Sequence, residues 1–260
     1  MPTNDVPTVS LTKGGAMPLL GFGTWQVGGA AAYDAVRHAL DVGYTHVDTA
    51  TMYGNEAEVG RAVRDSQVPR GEIFVTTKLP PQKADSAEDV IKASLGAMQL
   101  DYVDLWLIHW PVRGGASPAT WQRLLDIRER GLAREVGVSN YSVAQLDELE
   151  RATGELPAVN QIEWGPSLFD SDVLAEHKRR GVVLEGYSPF KTTNLRDRML
   201  TSIAAAYGRT TAQVVLRWHL QHEIVAIPKS SQAKRIAANF DVFDFELSPG
   251  HMSEIDAMGR

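Results

Sequence analysis

At 260 residues the chain is long enough for a large core, either as two small domains or as one α/β barrel. Its formal charge of −6, with no Lys/Arg run that suggests a basic patch, argues against a nucleic-acid partner. Cysteine is absent, which excludes disulfides, thiolate metal sites and cysteine nucleophiles.

The start, "MPTNDVPTVSL", lacks the basic and apolar regions of a signal peptide, and no apolar run approaches membrane-spanning length. The expectation is a cytoplasmic protein with no membrane partner. "TVSLTKGGAMPLL" reads as a hairpin that turns at Gly14-Gly15 and closes a barrel floor. Eight strands follow in "LLGFGTW", "THVDTA", "IFVTTKL", "VDLWLIHW", "REVGVSN", "AVNQIEW", "VVLEGYSP" and "IVAIPKS". Several are almost continuously apolar, as parallel strands buried on both faces are.

Amphipathic helices alternate with these strands. "AAAYDAVRHALDVG" puts Tyr33, Val36, Ala39 and Leu40 on one face, with Gly43 as C-cap. "SVAQLDELERATG" starts at a Ser142 cap and ends near Gly154. "DSDVLAEHKRRG" places acids first and bases last, matching the helix dipole. "SPGHMSEIDAMG" is a final helix after the eighth unit. The pattern predicts an α/β fold, a (β/α)8 TIM barrel with an N-terminal β-hairpin and a C-terminal extra helix, as one domain over residues 1–260. The rival is a doubly wound open sheet. Its support is "GFGTWQ", a near-match to a dinucleotide fingerprint that has Gln26 where Gly or Ala is needed.

Catalytic groups in a barrel come from the C-terminal ends of strands and the loops after them. Asp48 ends "THVD" and Tyr53 lies in the loop beyond it; Lys78 ends "FVTTK" and His109 ends "DLWLIH". Each has a plainer reading. Asp48 could cap a turn, Tyr53 could be a half-buried aromatic, Lys78 a solvated cation and His109 a satisfied core residue. The plain readings leave unexplained why successive strands end this way. A free phenol has a pKa near ~10, too high for efficient proton exchange at neutral pH. A neighbouring ammonium would lower it, Asp48 would orient that ammonium, and His109 would aim a carbonyl at Tyr53. No side chain supplies a hydride, so reduction requires a bound cofactor.

In combination, "GFGTW", "HVDTATMYGNE", "FVTTKL", "DLWLIHWP", "GVSN", "NQIEW", "YSP" and "IPKS" resemble the aldo-keto reductase family, in its order and over about residues 8–256. The chain is similar to compact bacterial members such as 2,5-diketo-gluconate reductases. The resemblance implies a monomer that reduces a small-molecule carbonyl with NADPH, bound extended across the barrel mouth. It makes Tyr53 the proton donor, Lys78 and Asp48 its tuning pair, and His109 the orienting group. Ser139, Asn140 and Gln161 would bond the carboxamide, Tyr187 would stack on nicotinamide, and the backbone at Ser188 and Phe190 would approach the pyrophosphate. Lys229 and Ser230 would take the 2′-phosphate, Arg235 would pair with that phosphate or stack on adenine, and Asn239 would also meet the cofactor. Trp25, Trp110 and Trp164 would wall the substrate, which meets Tyr53 and His109, unless these tryptophans are plain packing aromatics.

The chain departs from the family pattern at Ala238, where "RIAAN" replaces a glutamate that contacts adenine, and at Pro80, where many relatives carry tryptophan. Other chemistries fit less well. A metal-dependent hydrolase needs clustered ligands, but there is no His-x-His, and His219 and His222 read as a polar helix face. A glycosidase built on Asp48 and Glu163 would have its first carboxylate neutralised by Lys78. The rival on the same fold is a non-catalytic NADPH-binding sensor or regulatory subunit.

Overall fold

The computed structural model describes residues 6–259; the first five residues and Arg260 lie outside it. Eight parallel strands form one sheet: β3 (Phe22–Gly23), β4 (His46–Asp48), β5 (Phe74–Leu79), β6 (Val103–Ile108), β7 (Ala133–Ser139), β8 (Val159–Glu163), β9 (Val183–Tyr187) and β10 (Val225–Ile227). Their spatial order is their chain order, so every crossover joins neighbours. Backbone bonds from Gly21 N to Ala226 O (2.9 Å) and from Gly23 N to Pro228 O (3.1 Å) close the first strand onto the last. The expected barrel is what the chain forms.

The hairpin pairs β1 (Thr8–Ser10) with β2 (Ala16–Pro18), and Gly14 takes the left-handed conformation (φ 86°) that the turn requires. It covers the N-terminal end of the strands. There Lys13 N donates to Oε1 of the buried Glu135, near the start of β7, at 3.1 Å.

The helices are α1 (Ala30–Val42), α2 (Glu56–Arg64), α3 (Ala87–Met98), α4 (Pro118–Glu129), α5 (Val143–Thr153), α6 (Ser171–Arg180), α7 (Arg198–Ala206), α8 (Thr211–Gln221), α9 (Ala233–Phe240) and α10 (Pro249–Asp256). Local chemistry accounts for their ends. Ser142 and Gln145 form a reciprocal capping box on α5, which ends at Gly154 with φ 79°. Asp170 caps α6 by accepting from Asp172 N and Val173 N. On α1, Val36, Ala39 and Leu40 are buried as the spacing predicts, while Tyr33 is half-buried under the Arg61 guanidinium. His219 differs from its expected place. It is fully buried behind β9, with Nδ1 bonded to Val215 O at 2.7 Å, because position 186 is glycine and leaves room for the ring. His222 bonds Asp256 instead, at 2.8 Å. Among the described residues no cluster of His, Asp and Glu could hold a metal ion, and no helix is long and apolar enough to cross a membrane.

Side chains alternate along each strand. His46 and Asp48, Thr76 and Lys78, Gln161 and Glu163, and Glu185 and Tyr187 are therefore same-face pairs, and the face they share is the barrel interior. The interior is thus polar toward its C-terminal end, while apolar side chains between strands and helices supply the main core.

Gly60 on α2 packs on the backbone of Met98, which a Cβ at position 60 would overlap. Gly60→Ala is expected to force α2 from α3 and lower stability by about 1–3 kcal/mol in urea unfolding.

Candidate active site

Asp48, Tyr53, Lys78 and His109 converge at the C-terminal end of the barrel. Lys78 is fully buried, and its ammonium donates to both Asp48 oxygens at 2.7 Å and to Thr49 O at 2.8 Å. Burial opposes that charge, yet Asp48, Tyr53 and Glu185 together hold the Lys78 pKa above the ordinary lysine value. The Tyr53 hydroxyl lies 3.5 Å from Lys78 Nζ, at the end of a 3-10 turn over Thr51–Tyr53. Thr51 ties that turn to β5 by donating from its hydroxyl to Lys78 O at 2.9 Å.

The charge on Lys78 acts on Tyr53 in the expected direction, but it does not win. Burial raises the Tyr53 pKa above 10.0, and Lys78 offsets only part of the rise, with Asp48 and Glu185 adding to it. In this state the phenol holds its proton firmly. His109 stands edge-on to Tyr53 with ring centroids 5.6 Å apart. Burial and Lys78 press its pKa down to about 3, so it works as a neutral imidazole. Its Nδ1 is buried without a partner, which leaves Nε2 for the pocket.

Asn55 occupies the N-cap position of α2 as its sequence suggests, but its side chain makes no cap. It donates instead to Thr24 O (3.0 Å) and Val27 O (2.8 Å) and accepts from Thr49 Oγ1 at 2.6 Å. The loops after β3 and β4 are thereby fixed to each other. Glu56, the first residue of α2, is buried as well and accepts from Thr77 Oγ1 at 2.6 Å.

The opposite wall comes from β7, β8 and β9. Ser139 Oγ donates to Gln161 O at 2.8 Å, and Asn140 Nδ2 donates to Ser139 Oγ at 2.9 Å. Tyr187 donates from its hydroxyl to Asn140 Oδ1 at 2.9 Å, which fixes the plane of its ring. Burial, with Glu163 and Tyr53, pushes the Tyr187 phenol up to about 12, so it stays neutral. Gln161 Nε2 donates to Asp48 Oδ2 (2.8 Å) and Glu185 Oε2 (2.9 Å). Two carboxylates as partners fix which end of the amide is nitrogen and leave its oxygen for the pocket. Asn140 (φ 63°) and Ser188 (φ 54°) hold left-handed backbone at this wall, a strain that tends to concentrate at functional sites.

These groups line a cavity of about 400 Å³, within the usual range for a small-molecule site. Of the residues expected there, Trp25, Asp48, Tyr53, His109, Trp110, Ser139, Asn140, Gln161, Tyr187, Ser188 and Lys229 line it. Lys78 stands directly behind Asp48 and Tyr53. Phe190, Ser230, Arg235 and Asn239 lie outside the lining, with Ser230 buried against Gln232, Arg235 exposed on α9 and Asn239 buried on the same helix. Trp164 is not a wall: it is buried against Phe169, edge-on at 6.2 Å, because it follows Glu163 and so points away from the interior. Met52 and Lys191 join the lining without having been foreseen; Lys191 pairs with Glu163 at 3.1 Å. Both are loop residues with no periodic pattern to mark them. Trp25, Met52 and Trp110, all on the cavity wall, are the large apolar side chains most exposed among the described residues.

The chain matches the aldo/keto reductase family over residues 19–260. It is 44% identical to an aldo-keto reductase of Mycolicibacterium vanbaalenii, over 97% of this chain and 92% of that protein. It is 41% identical to a morphine 6-dehydrogenase of Pseudomonas putida, over 97% and 91% of the two chains. The crystal structure of an aldo/keto reductase from Brucella melitensis superposes with a TM-score of 0.94 at 39% identity, covering 97% of this chain and 98% of that one. An aldo-keto reductase from Bombyx mori, solved in complex with NADP, superposes at 0.91 with 32% identity, over 98% and 93%.

The neutral state of the buried histidines has a cost in acid. Burial lowers His46 and His109 from 6.5 to about 3 and His219 to about 4. Between those values and 6.5 the unfolded chain binds protons that the folded one refuses, so stability falls as pH drops through this window. Urea midpoints are expected to decrease steadily from pH 7 toward pH 4, with most of the loss below about 6.5.

Proposed function

The chain belongs to the aldo/keto reductase family, and on that premise we propose that it is an NADPH-dependent carbonyl reductase acting on aldehydes and some ketones, with Tyr53 as proton donor. The observation that carries this reading is the placement of the Tyr53 hydroxyl beside a buried Lys78–Asp48 pair and a neutral His109, on the wall of one cavity.

The residues present suit the cofactor. Tyr187, held flat by Asn140, offers a ring face to a nicotinamide, and the Gln161 oxygen can accept from its carboxamide. Lys229, exposed at the cavity edge and without a salt-bridge partner among the described residues, suits a phosphate, with Arg235 exposed on the adjacent helix. Bound there, the reduced nicotinamide would supply the hydride that no side chain can.

The chain's own work is proton transfer and orientation. His109, neutral, donates one N–H to the carbonyl oxygen and aims it at Tyr53. As the carbon gains the hydride, the C=O π pair moves to oxygen, and the Tyr53 proton follows it there. The phenolate left behind is stabilised by Lys78, whose ammonium is kept charged and immobile by Asp48. Trp25, Met52 and Trp110 offer the substrate apolar contact on the cavity wall.

Following NADPH absorbance over a panel of aldehydes tests the reading. Tyr53→Phe is expected to lower the reduction rate by about 10² or more while leaving NADPH binding intact. Tight NADPH binding by the wild type with no turnover would establish the non-catalytic alternative instead. Lys229→Ala is expected to weaken NADPH binding about tenfold or more and leave NADH binding nearly unchanged, read by fluorescence titration.

A further inference from the structure

Beside the Lys78–Asp48 pair lies a second carboxyl group that the reaction above does not use. Glu185 precedes Tyr187 by two residues on β9, so both point into the barrel. Its side chain is wholly buried. Oε2 accepts from Gln161 Nε2 at 2.9 Å, and the same nitrogen donates to Asp48 Oδ2 at 2.8 Å. Oε1 has no hydrogen-bond partner, and His46 Nε2, at 3.7 Å, is too distant to satisfy it. His46 also carries no charge, since burial and Lys78 hold its pKa down to about 3.

The titratable groups that face Glu185 are His46 and Asp48 from β4, Lys78 from β5 and Tyr53 from the loop after β4. On the neighbouring strands, β8 presents the neutral Gln161 and, toward the mouth, Glu163 paired with Lys191, and β10 is apolar throughout. Behind the barrel wall, His177 and His219 meet the outward-facing Asn160 and Gly186. Lys191, paired with Glu163, and the exposed Lys229 stand on the wall of the cavity, so among the described residues Lys78 is the cation buried beside Glu185, and it already serves Asp48. A negative charge on Glu185 would be the second carboxylate on one ammonium, and a Tyr53 phenolate would be a third anion.

We propose that Glu185 is a positioning residue of the proton-transfer site: when ionised it holds the proton on Tyr53, and so extends to higher pH the range in which the protonated donor needed for carbonyl reduction is present. The inference rests on Tyr53 being the donor. Reduction needs Tyr53 to arrive protonated; alcohol oxidation needs it as phenolate. Burial, reinforced by Asp48, raises the Glu185 carboxyl to about 8 against relief from Gln161 and Lys78. Below that pH it is neutral and leaves Tyr53 to the opposed charges of Lys78 and Asp48. Above it, the new charge opposes the phenolate and tightens the hold of Lys78 on its own proton. The effect passes through charge, so the conservative carboxylate keeps it and the neutral isostere loses it.

The test is ultraviolet titration of the Tyr53 phenolate in cofactor-free protein, isolated by subtracting the Tyr53→Phe spectrum in the same background. Glu185→Gln is expected to bring the Tyr53 transition down by about one pH unit, and Glu185→Asp to restore it. With NADPH and an aldehyde, the alkaline limb of the reduction rate moves down by the same amount. A Tyr53 titration unchanged in Glu185→Gln, or altered equally by Glu185→Asp, overturns the proposal. Infrared spectra of the wild type give a second reading that needs no folded variant: a protonated carboxyl band must fade from neutral to alkaline pH, and its absence also overturns it. Because the titration needs no turnover, a failure of the carbonyl-reductase reading would be seen separately, as absent NADPH consumption.

Discussion

The contact on which the site depends is the buried pair between Lys78 and Asp48. A lysine with no exposed surface pays a desolvation cost of several kcal/mol, and only close, multiple partners offset it. Here both Asp48 oxygens lie 2.7 Å from the ammonium and Thr49 O lies at 2.8 Å. The pair also organises its surroundings. Asp48 and Lys78 sit on adjacent strands, Gln161 donates to Asp48 from across the barrel, and Thr51 ties the turn bearing Tyr53 to the backbone of Lys78. Moving either charge would unsettle strands on both sides of the interior and the turn that carries the phenol.

That arrangement explains the protonation states of the other groups. A fixed positive charge in a desolvated interior keeps His109 and His46 neutral. It lowers the cost of a phenolate at Tyr53 without abolishing it, because burial raises that cost further. In the proposed reaction, such a donor would keep its proton until negative charge develops on the substrate oxygen. The fold provides the geometry cheaply. Alternation along parallel strands delivers one inward polar side chain every second residue, and the barrel brings them to a common axis.

Much of this was legible in the residue pattern. The eight strands, the hairpin floor, the Ser142 cap and the four residues at the strand ends all follow from spacing, since periodicity and capping are local. What failed was decided by neighbours distant in the chain. Asn55 looked like a cap but braces Thr24 and Val27, which lie on another loop. Trp164 looked like a wall, and the alternation that places Glu163 inside turns it outward. His219 looked exposed on its helix, and the missing side chain of Gly186 gives its ring a buried seat. Glu185 carried a usable signal in its two-residue spacing from Tyr187, though nothing in its own segment tells which carboxylate it meets.

The sequence by itself determined the barrel and the family, and pointed to the candidate reacting groups, because those rest on local periodicity and on motifs of a few residues. Only the tertiary structure decided how those groups are charged. The order of their proton affinities depends on burial and on Coulomb terms between Lys78, Asp48, Glu185 and Tyr53, which come from three strands and a loop. Those energies vary with distance and with access to water, and neither exists until the barrel has closed.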